Sequence, residues 1–325
     1  MASHAFKTAA DKYVFDYDRE VAAFYRDHPE RKKTLFFLEA GEETIICRGD
    51  EDDVDEVAEL LGHNPALCAT VGQVQKSGFS QALRCVSEGY DYVLLKLPCN
   101  KKNVRPLGCS ASQDVVNFFC FNHEIGHMVC PGGSNKGAEL EKEYIADAYA
   151  AIRLIQRFGA DSEIKNLPAM RAVEMLFCEN ASHFTLPVVE RIIADAKTVD
   201  FSALSPQQTV ARAVEYAEKY GEKPQMVGFM ADAFYALGLN ARSLWIRDFA
   251  PVRALGDVLL ETKIPEQYKW GKTILNAVLE GDIGQDGERM PKPEGAEWAA
   301  LRQAVEARAA EFKNPQPGII IVPKL

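Results

Sequence analysis

The chain has 325 residues, of which 47% are hydrophobic and 26% are charged, and this composition is typical of a folded globular protein rather than of a disordered or coiled-coil chain. Its 47 acidic and 37 basic residues give a net charge of −10. This charge argues against nucleic acid as a partner, because surfaces that bind phosphate backbones are usually basic.

The start of the chain predicts no secretion signal, since charged residues such as Lys7, Asp11 and Asp16 interrupt every apolar stretch of the first twenty residues. No later run approaches the roughly 18 apolar residues of a membrane span, so we expect no such span. Without an export signal, the eight cysteines are expected to be thiols in a reducing compartment. We therefore predict a cytoplasmic protein.

The first hundred residues alternate between strand-like and helix-like patterns. Thr34 to Ala40 and Thr44 to Arg48 are strand-like, whereas Glu51 to Leu61 has apolar residues at helical spacing. A strong strand follows at Asp91 to Pro98, and a loop rich in Lys, Pro and Gly comes after it. We predict an α/β region over residues 1–105 that contains the edge strand of a small sheet.

Beyond residue 105 the pattern is helical almost to the end. Ser110 with Gln113 is typical of a capping box, and it predicts a helix that continues to Pro131. A second helix is predicted over 138–158, and further helices over 168–178, 187–197, 206–220, 225–237 and 297–312. The predicted fold class is α+β and mostly helical, with a small N-terminal mixed sheet, a helical region over 106–200 that would carry catalysis, and a C-terminal helical region over 201–325.

The first of these helices contains the pattern HExxH at His123-Glu124-Ile125-Gly126-His127. Residues four apart lie on one helix face, so His123 and His127 are able to bind one Zn²⁺ ion together. Glu124 lies beside that face, where it can act as a general base on a water molecule. Chance would produce this pentad in about one such chain in a hundred, so a third protein ligand is needed to support the prediction.

Two completions of the zinc site can be compared with the sequence. The metzincin pattern requires Gly three residues and His six residues after His127, but Cys130 and Gly133 occupy those positions. The other completion takes a Glu from the next helix, where Glu143 and Asp147 share one face. We predict Glu143 as the third ligand of one zinc ion per chain, with Asp147 accepting the far ring N–H of a ligand histidine. Two further carboxylates compete with Glu143 for the ligand position: Glu139 and Glu141.

The pattern HExxH followed by Glu-x-x-Ala-Asp-Ala-Tyr-Ala over residues 143–150 resembles the gluzincin metallopeptidases, in particular the CAAX prenyl endopeptidase family and its soluble relatives. The resemblance implies zincin-like active-site helices. It also implies roles in substrate and transition-state binding for His183 and Arg191, which belong to a segment similar to one of that family, with two extra residues between them. The alternatives are a helix-capping or surface role for His183 and a surface salt bridge for Arg191. The membrane helices of that family are not predicted here, so we do not transfer its prenyl-protein substrate.

These observations predict a zinc metallopeptidase, a hydrolase that acts on a peptide or protein. Its substrate would lie beside an edge strand, for which Asp91 to Pro98 is the candidate. An alternative is a zincin-like module that binds a partner or regulates, with a mainly structural metal. A helical binding protein with a chance pentad is a third hypothesis. Glu124 favours the enzyme, because a structural site needs no base at that position.

Overall fold

The computed structural model describes residues 13–41, 45–48, 62, 64–77, 81–85, 89–99, 112–131, 139–159, 167, 183–221, 296, 299 and 303. These residues contain six α-helices of ten or more residues, four strands and two short 3₁₀ helices. The helices are α1 (Tyr17–Asp27), α2 (Pro65–Ser77), α3 (Gln113–Val129), α4 (Glu139–Phe158), α5 (Leu186–Asp195) and α6 (Pro206–Tyr220). The strands are β1 (Leu35–Ala40), β2 (Ile45–Arg48), β3 (Gln81–Cys85) and β4 (Tyr90–Leu95). None of the helices in the described ranges is long and apolar enough to cross a membrane.

The four strands form one mixed sheet in the order β2-β1-β4-β3. Strands β1 and β4 are parallel, whereas β2 pairs with β1 and β3 pairs with β4 in antiparallel fashion. With helices making up most of the described residues, the fold is α+β and mostly helical with a small mixed sheet, as predicted.

The expectation that Asp91 to Pro98 forms an edge strand is wrong. Strand β4 lies inside the sheet, because β1 pairs with it on one side and β3 on the other. Its residues 91–95 are all buried, and a continuous apolar run of this kind is typical of a strand that is covered on both faces. Within the described residues, β2 and β3 are the outer strands.

The sheet is covered by helices on both faces. On one face, Phe36 and Leu38 of β1 and Leu94 of β4 pack against α2 in a buried apolar cluster. On the other face, Phe37 packs against aromatic residues of α1 and α3, with ring centroids 5.2 Å from Phe24 and 5.4 Å from Phe121. Because consecutive strand residues point to opposite faces, this alternation anchors α3 against the sheet.

Helix α3 begins at a different residue from the predicted one. Its N-cap is Ser112, whose hydroxyl accepts a hydrogen bond from the backbone N–H of Val115, so the prediction of a capping box at Ser110 is wrong. The Gln113 side chain does not close a capping box but donates a hydrogen bond to the carbonyl of Cys99, 2.6 Å away. Gln113 therefore ties the start of α3 to the segment that follows β4.

The other predicted elements fall into three groups. Strands β1 and β2 and helices α4, α5 and α6 lie where the sequence predicts them, within a few residues. The helices predicted over 51–61, 168–178 and 225–237 lie outside the described residues, and of 297–312 only Ala299 and Gln303 are described, both helical. Helices α1 and α2 and strand β3 were not predicted.

The chain divides into two compact units. The first contains Met1–Lys101, Ser110–Lys165 and Val188–Tyr220, and the second contains Lys102–Cys109, Asn166–Pro187 and Gly221–Leu325. Every strand and, apart from the first two residues of α5, every helix named above belongs to the first unit. The predicted division at residues 105 and 200 stays a prediction.

Candidate metal centre

The candidate site is built on the pair of helices α3 and α4, which pack against each other. Their contacts run in opposite order along the chain, since His123 meets Asp147 and His127 meets Glu143, so the two helices are antiparallel. Helix α6 supports α4 from another side, where the Gln156 side chain donates hydrogen bonds to the Phe201 carbonyl and, at 2.9 Å, to Oγ1 of Thr209. The site residues therefore stand on helices that are themselves packed into the fold.

The side chains of His123, His127 and Glu143 converge on one point. The Nε2 atoms of the two histidines are 3.2 Å apart. Oε2 of Glu143 lies 3.3 Å from Nε2 of His123, and Oε1 lies 3.6 Å from Nε2 of His127. The two imidazole planes are nearly perpendicular, at 87°, which lets both Nε2 atoms approach the same point from different directions.

Two of these separations match those between ligand atoms of a tetrahedral zinc ion. Zinc bonds to histidine nitrogen and carboxylate oxygen are about 2.0–2.2 Å long, so neighbouring ligand atoms of a tetrahedral ion are about 3.3 Å apart. The separation of the two Nε2 atoms, 3.2 Å, and that of His123 Nε2 from Glu143 Oε2, 3.3 Å, lie within about 0.1 Å of that value. The 3.6 Å separation from His127 is to the other carboxylate oxygen, Oε1. Two imidazoles and a carboxylate are also a donor set typical of catalytic zinc, which keeps its fourth position open.

Asp147 contacts His123 on the ring nitrogen that faces away from the cluster. It has no exposed surface, and its Oδ1 lies 2.7 Å from Nδ1 of His123. Because an ionised carboxylate can only accept hydrogen bonds, Nδ1 of His123 is the donor. The Nε2 lone pair is then left to face the cluster, which is the tautomer that a metal ligand needs.

The charge of the site suits a cation. Three carboxylates, those of Glu124, Glu143 and Asp147, are each at least nine-tenths buried. Buried carboxylates require compensation by a charge of opposite sign or by hydrogen bonds, because desolvation is costly for the ionised form. A divalent cation between His123, His127 and Glu143 would offset this negative charge.

Glu124 lies on α3 immediately after His123 and is 6% exposed. A rotation of about 100° per residue sets its side chain beside the face that carries the two histidines rather than on it. In this arrangement His123 is able to bind a metal while the adjacent Glu124 is able to contact a water molecule. The role of Glu124 as a general base stays a prediction.

The structure describes the side chain of only one of the two carboxylates that compete with Glu143. Glu141 is exposed on α4 and does not belong to the group of two histidines and one carboxylate. Glu139 begins α4, but its side chain lies outside the described residues. The described geometry therefore favours Glu143.

Cys130, which follows the motif, is a poor metal ligand. Burial raises the pKa of the Cys130 thiol to about 12, so the thiol stays protonated at neutral pH. Cys120, one turn before His123, is half-buried. Because a thiolate is the form that binds metals, Cys130 behaves as a small apolar residue of the core.

Arg191 and His183 lie apart from these helices in the chain. Arg191 on α5 makes a bidentate ion pair with Asp195 one turn later, at 2.8 and 3.0 Å, and its guanidinium lies 5.1 Å from the ring centroid of Tyr220. Its side chain is 48% exposed, so this contact has the form of the surface salt bridge considered as the alternative. His183 is half-buried and belongs to the second unit, and its functional role stays a prediction.

Several residues that support the site were not predicted. Arg31 donates hydrogen bonds to Asp91 of β4 at 2.6 Å and to the carbonyl of Met128 at 3.2 Å, and so ties the end of α3 to the sheet. On the opposite end of α3, Oδ1 of Asn117 accepts from the Cys99 backbone N–H at 2.9 Å. Residues this far apart in the chain carry no local signal for pairing, so the sequence offers no way to find them.

Comparisons of the chain with protein-family models, with curated protein sequences and with solved structures found no match. The resemblance to the gluzincins therefore depends on the motif residues alone.

Proposed function

We propose that the protein is a zinc-dependent metallopeptidase of the gluzincin type that hydrolyses peptide bonds. The observation that carries the proposal is the convergence of one ligand atom from each of His123, His127 and Glu143, with the two Nε2 atoms 3.2 Å apart and Oε2 of Glu143 3.3 Å from Nε2 of His123. The buried Glu124 next to His123 adds a group that a hydrolytic site needs. When bound, zinc would supply Lewis-acid activation of water and of the scissile carbonyl.

In the proposed reaction the protein residues hold and move protons. Glu124 accepts a proton from the attacking water and later donates it to the leaving amine. Asp147 keeps the proton of His123 on Nδ1 throughout, which holds the ring in one orientation. His183 and Arg191 enter only through the family resemblance, as candidates to stabilise the oxyanion. For Arg191 this role would require its ion pair with Asp195 to open.

The order of the strands determines where an extended substrate is able to pair. Helix α3 packs on β3 and β4, and β3 is the outer strand of that pair in the described part of the chain. We therefore propose β3 (Gln81–Cys85) in place of β4 as the strand along which an extended peptide would pair. A peptide or protein substrate remains the proposed partner, and a cytoplasmic location remains proposed on the sequence argument.

The second candidate function is a zincin-like module that binds a partner or regulates, with a mainly structural metal. The observation that supports it is burial, because His123 and Glu143 are each at least nine-tenths buried. Structural zinc sites are closed by four protein ligands, whereas this cluster has three within the described residues. The donor count therefore favours the enzyme.

The deciding experiment compares wild-type protein with Glu124→Gln. Both are loaded with one equivalent of zinc and assayed on a library of quenched fluorescent peptides. We expect the variant to keep its fold and its zinc but to lose turnover by several orders of magnitude, because the amide is not a base for the water proton. Glu141→Gln is the matched control, since it neutralises an exposed carboxylate on α4 and should leave turnover unchanged. Equal turnover in Glu124→Gln would refute the mechanism, and an inactive wild type that still binds zinc would favour the partner-binding module.

A further inference from the structure

Gly126 lies in the middle of the HExxH motif, at a close contact between α3 and α4. A Cβ atom built on Gly126 would stand 2.8 Å from Cα and 3.0 Å from the carbonyl oxygen of Ala146, and 3.2 Å from Cβ of Tyr149. Carbon atoms in contact are ordinarily about 3.5–4.0 Å apart. Backbone atoms and a Cβ cannot be moved aside by a change of rotamer, so any side chain at this position would force the two helices apart.

Helix formation by itself does not explain the glycine. Gly126 has a helical backbone, and the glycines of positive φ in the described residues are Gly89 and Gly159. Inside a helix, glycine is less favourable than alanine because it loses more backbone entropy on folding. The reason for glycine at this position is therefore the neighbouring helix.

The contact lies among the metal-site residues on both helices. On α3, Gly126 stands between the two histidines, three residues after His123 and one before His127. On α4, Ala146 stands three residues after Glu143 and one before Asp147. The distance between the backbones at this point consequently sets how far the carboxylates of α4 are from the imidazoles of α3.

We propose that Gly126 is a positioning residue of the metal centre, which sets the spacing of α3 and α4 so that Glu143 and Asp147 reach the two histidines. This inference rests on the proposed zinc site. Alanine at position 126 would have to move away from Ala146 by about 0.7 Å to reach an ordinary contact distance. Metal–ligand distances vary by only about 0.2 Å between functional sites, so a shift of this size would separate Glu143 from the histidines.

The test compares Gly126→Ala with Gly72→Ala. Gly72 lies inside α2, and a Cβ built on it would meet no atom of the described residues within 4 Å, so Gly72→Ala makes the same chemical change in a helix where there is room. Zinc affinity is measured by competition with a chromophoric chelator, without any substrate. The absorption bands of the Co²⁺-substituted protein report the geometry of the ligands independently of stability.

We expect Gly126→Ala to bind zinc about 10–100-fold more weakly than wild type, the range typical of a lost supporting contact, and to show altered Co²⁺ bands. Gly72→Ala should match wild type in both readouts. If Gly126→Ala is unfolded in buffer, the measurements are made with trimethylamine N-oxide, which favours the folded state.

Wild-type zinc affinity together with unchanged Co²⁺ bands in folded Gly126→Ala would overturn the inference. So would a Gly126→Ala chain that stays unfolded with the osmolyte while Gly72→Ala folds, because Gly126 would then be a requirement of the fold and not of the ligand spacing. A wild type that binds no stoichiometric zinc would overturn the metal centre together with the inference. A wild type that binds zinc but cleaves no peptide would refute the proposed peptidase alone.

Discussion

At the scale of single residues, Glu143 and Asp147 lie one turn apart on α4 and have different relations to the histidines. Glu143 approaches both imidazoles, at 3.3 and 3.6 Å, whereas Asp147 contacts only Nδ1 of His123. Removing the Glu143 carboxylate leaves two neutral imidazoles facing a dication. Removing the Asp147 carboxylate only frees the His123 ring to rotate. We expect Asp147→Ala to weaken zinc binding by about 10–100-fold and Glu143→Ala to weaken it more, as measured by chelator competition.

The control variants for this ranking lie on the same helix. Glu139→Ala and Glu141→Ala should leave zinc content and turnover nearly unchanged. The reverse ranking, with Asp147→Ala the more damaging change, would move the third ligand to Asp147. A large loss in Glu139→Ala would instead indicate that the ligand lies one turn earlier in α4.

At the scale of the elements, α3 depends on contacts at both of its ends. Ser112 caps its first turn, and the Arg31 side chain donates a hydrogen bond to the carbonyl of Met128 in its last turn. We expect Ser112→Ala to lower the free energy of unfolding by about 1 kcal/mol, because the hydroxyl that accepts from the Val115 N–H is lost. Urea titration monitored by circular dichroism measures this change.

Ser112→Asp is the matched variant, since aspartate accepts the same hydrogen bond and carries a negative charge that favours a helix N-terminus. It should retain most of the wild-type stability. A larger loss in Ser110→Ala than in Ser112→Ala would contradict the observed cap and would restore the capping box predicted from the sequence.

At the scale of the whole molecule, zinc should be coupled to folding, because its three ligands come from two helices that converge only in the folded chain. A ligand that binds only the folded state stabilises it by about 2.7 kcal/mol at a hundred times its Kd. We expect zinc to raise the melting temperature of the wild type and a chelator to lower it, as followed by differential scanning calorimetry.

The same titration on His123→Ala and on His127→Ala should show neither the zinc-dependent rise nor a stoichiometric ion in the purified protein. Glu141→Ala, whose exposed side chain lies on α4, should respond as wild type does. A full equivalent of zinc with unchanged affinity in either histidine variant would show that the ligand assignment is wrong.

Much of the fold could be predicted where the determining contacts are local. The strands β1 and β2 and the helices α4 to α6 follow from apolar periodicity within a few residues of each position. Two missed helices also carry local signals, since Asp16 accepts from Arg19 N–H before α1, and Asn64 accepts from Leu67 N–H before α2. The sequence therefore contains local signals for the start of both helices.

The sequence by itself determined which side chains the candidate site contains: two histidines and a glutamate on one helix, and two carboxylates on a face of the next. The tertiary structure decided which residues meet. The parallel pairing of β1 with β4, the close contact of Gly126 with Ala146 and the hydrogen bond from Arg31 to Met128 join residues separated by twenty to about a hundred positions. Periodicity and caps act within one or two turns of the chain, whereas these distances depend on the packing of whole elements, to which no short stretch of sequence corresponds.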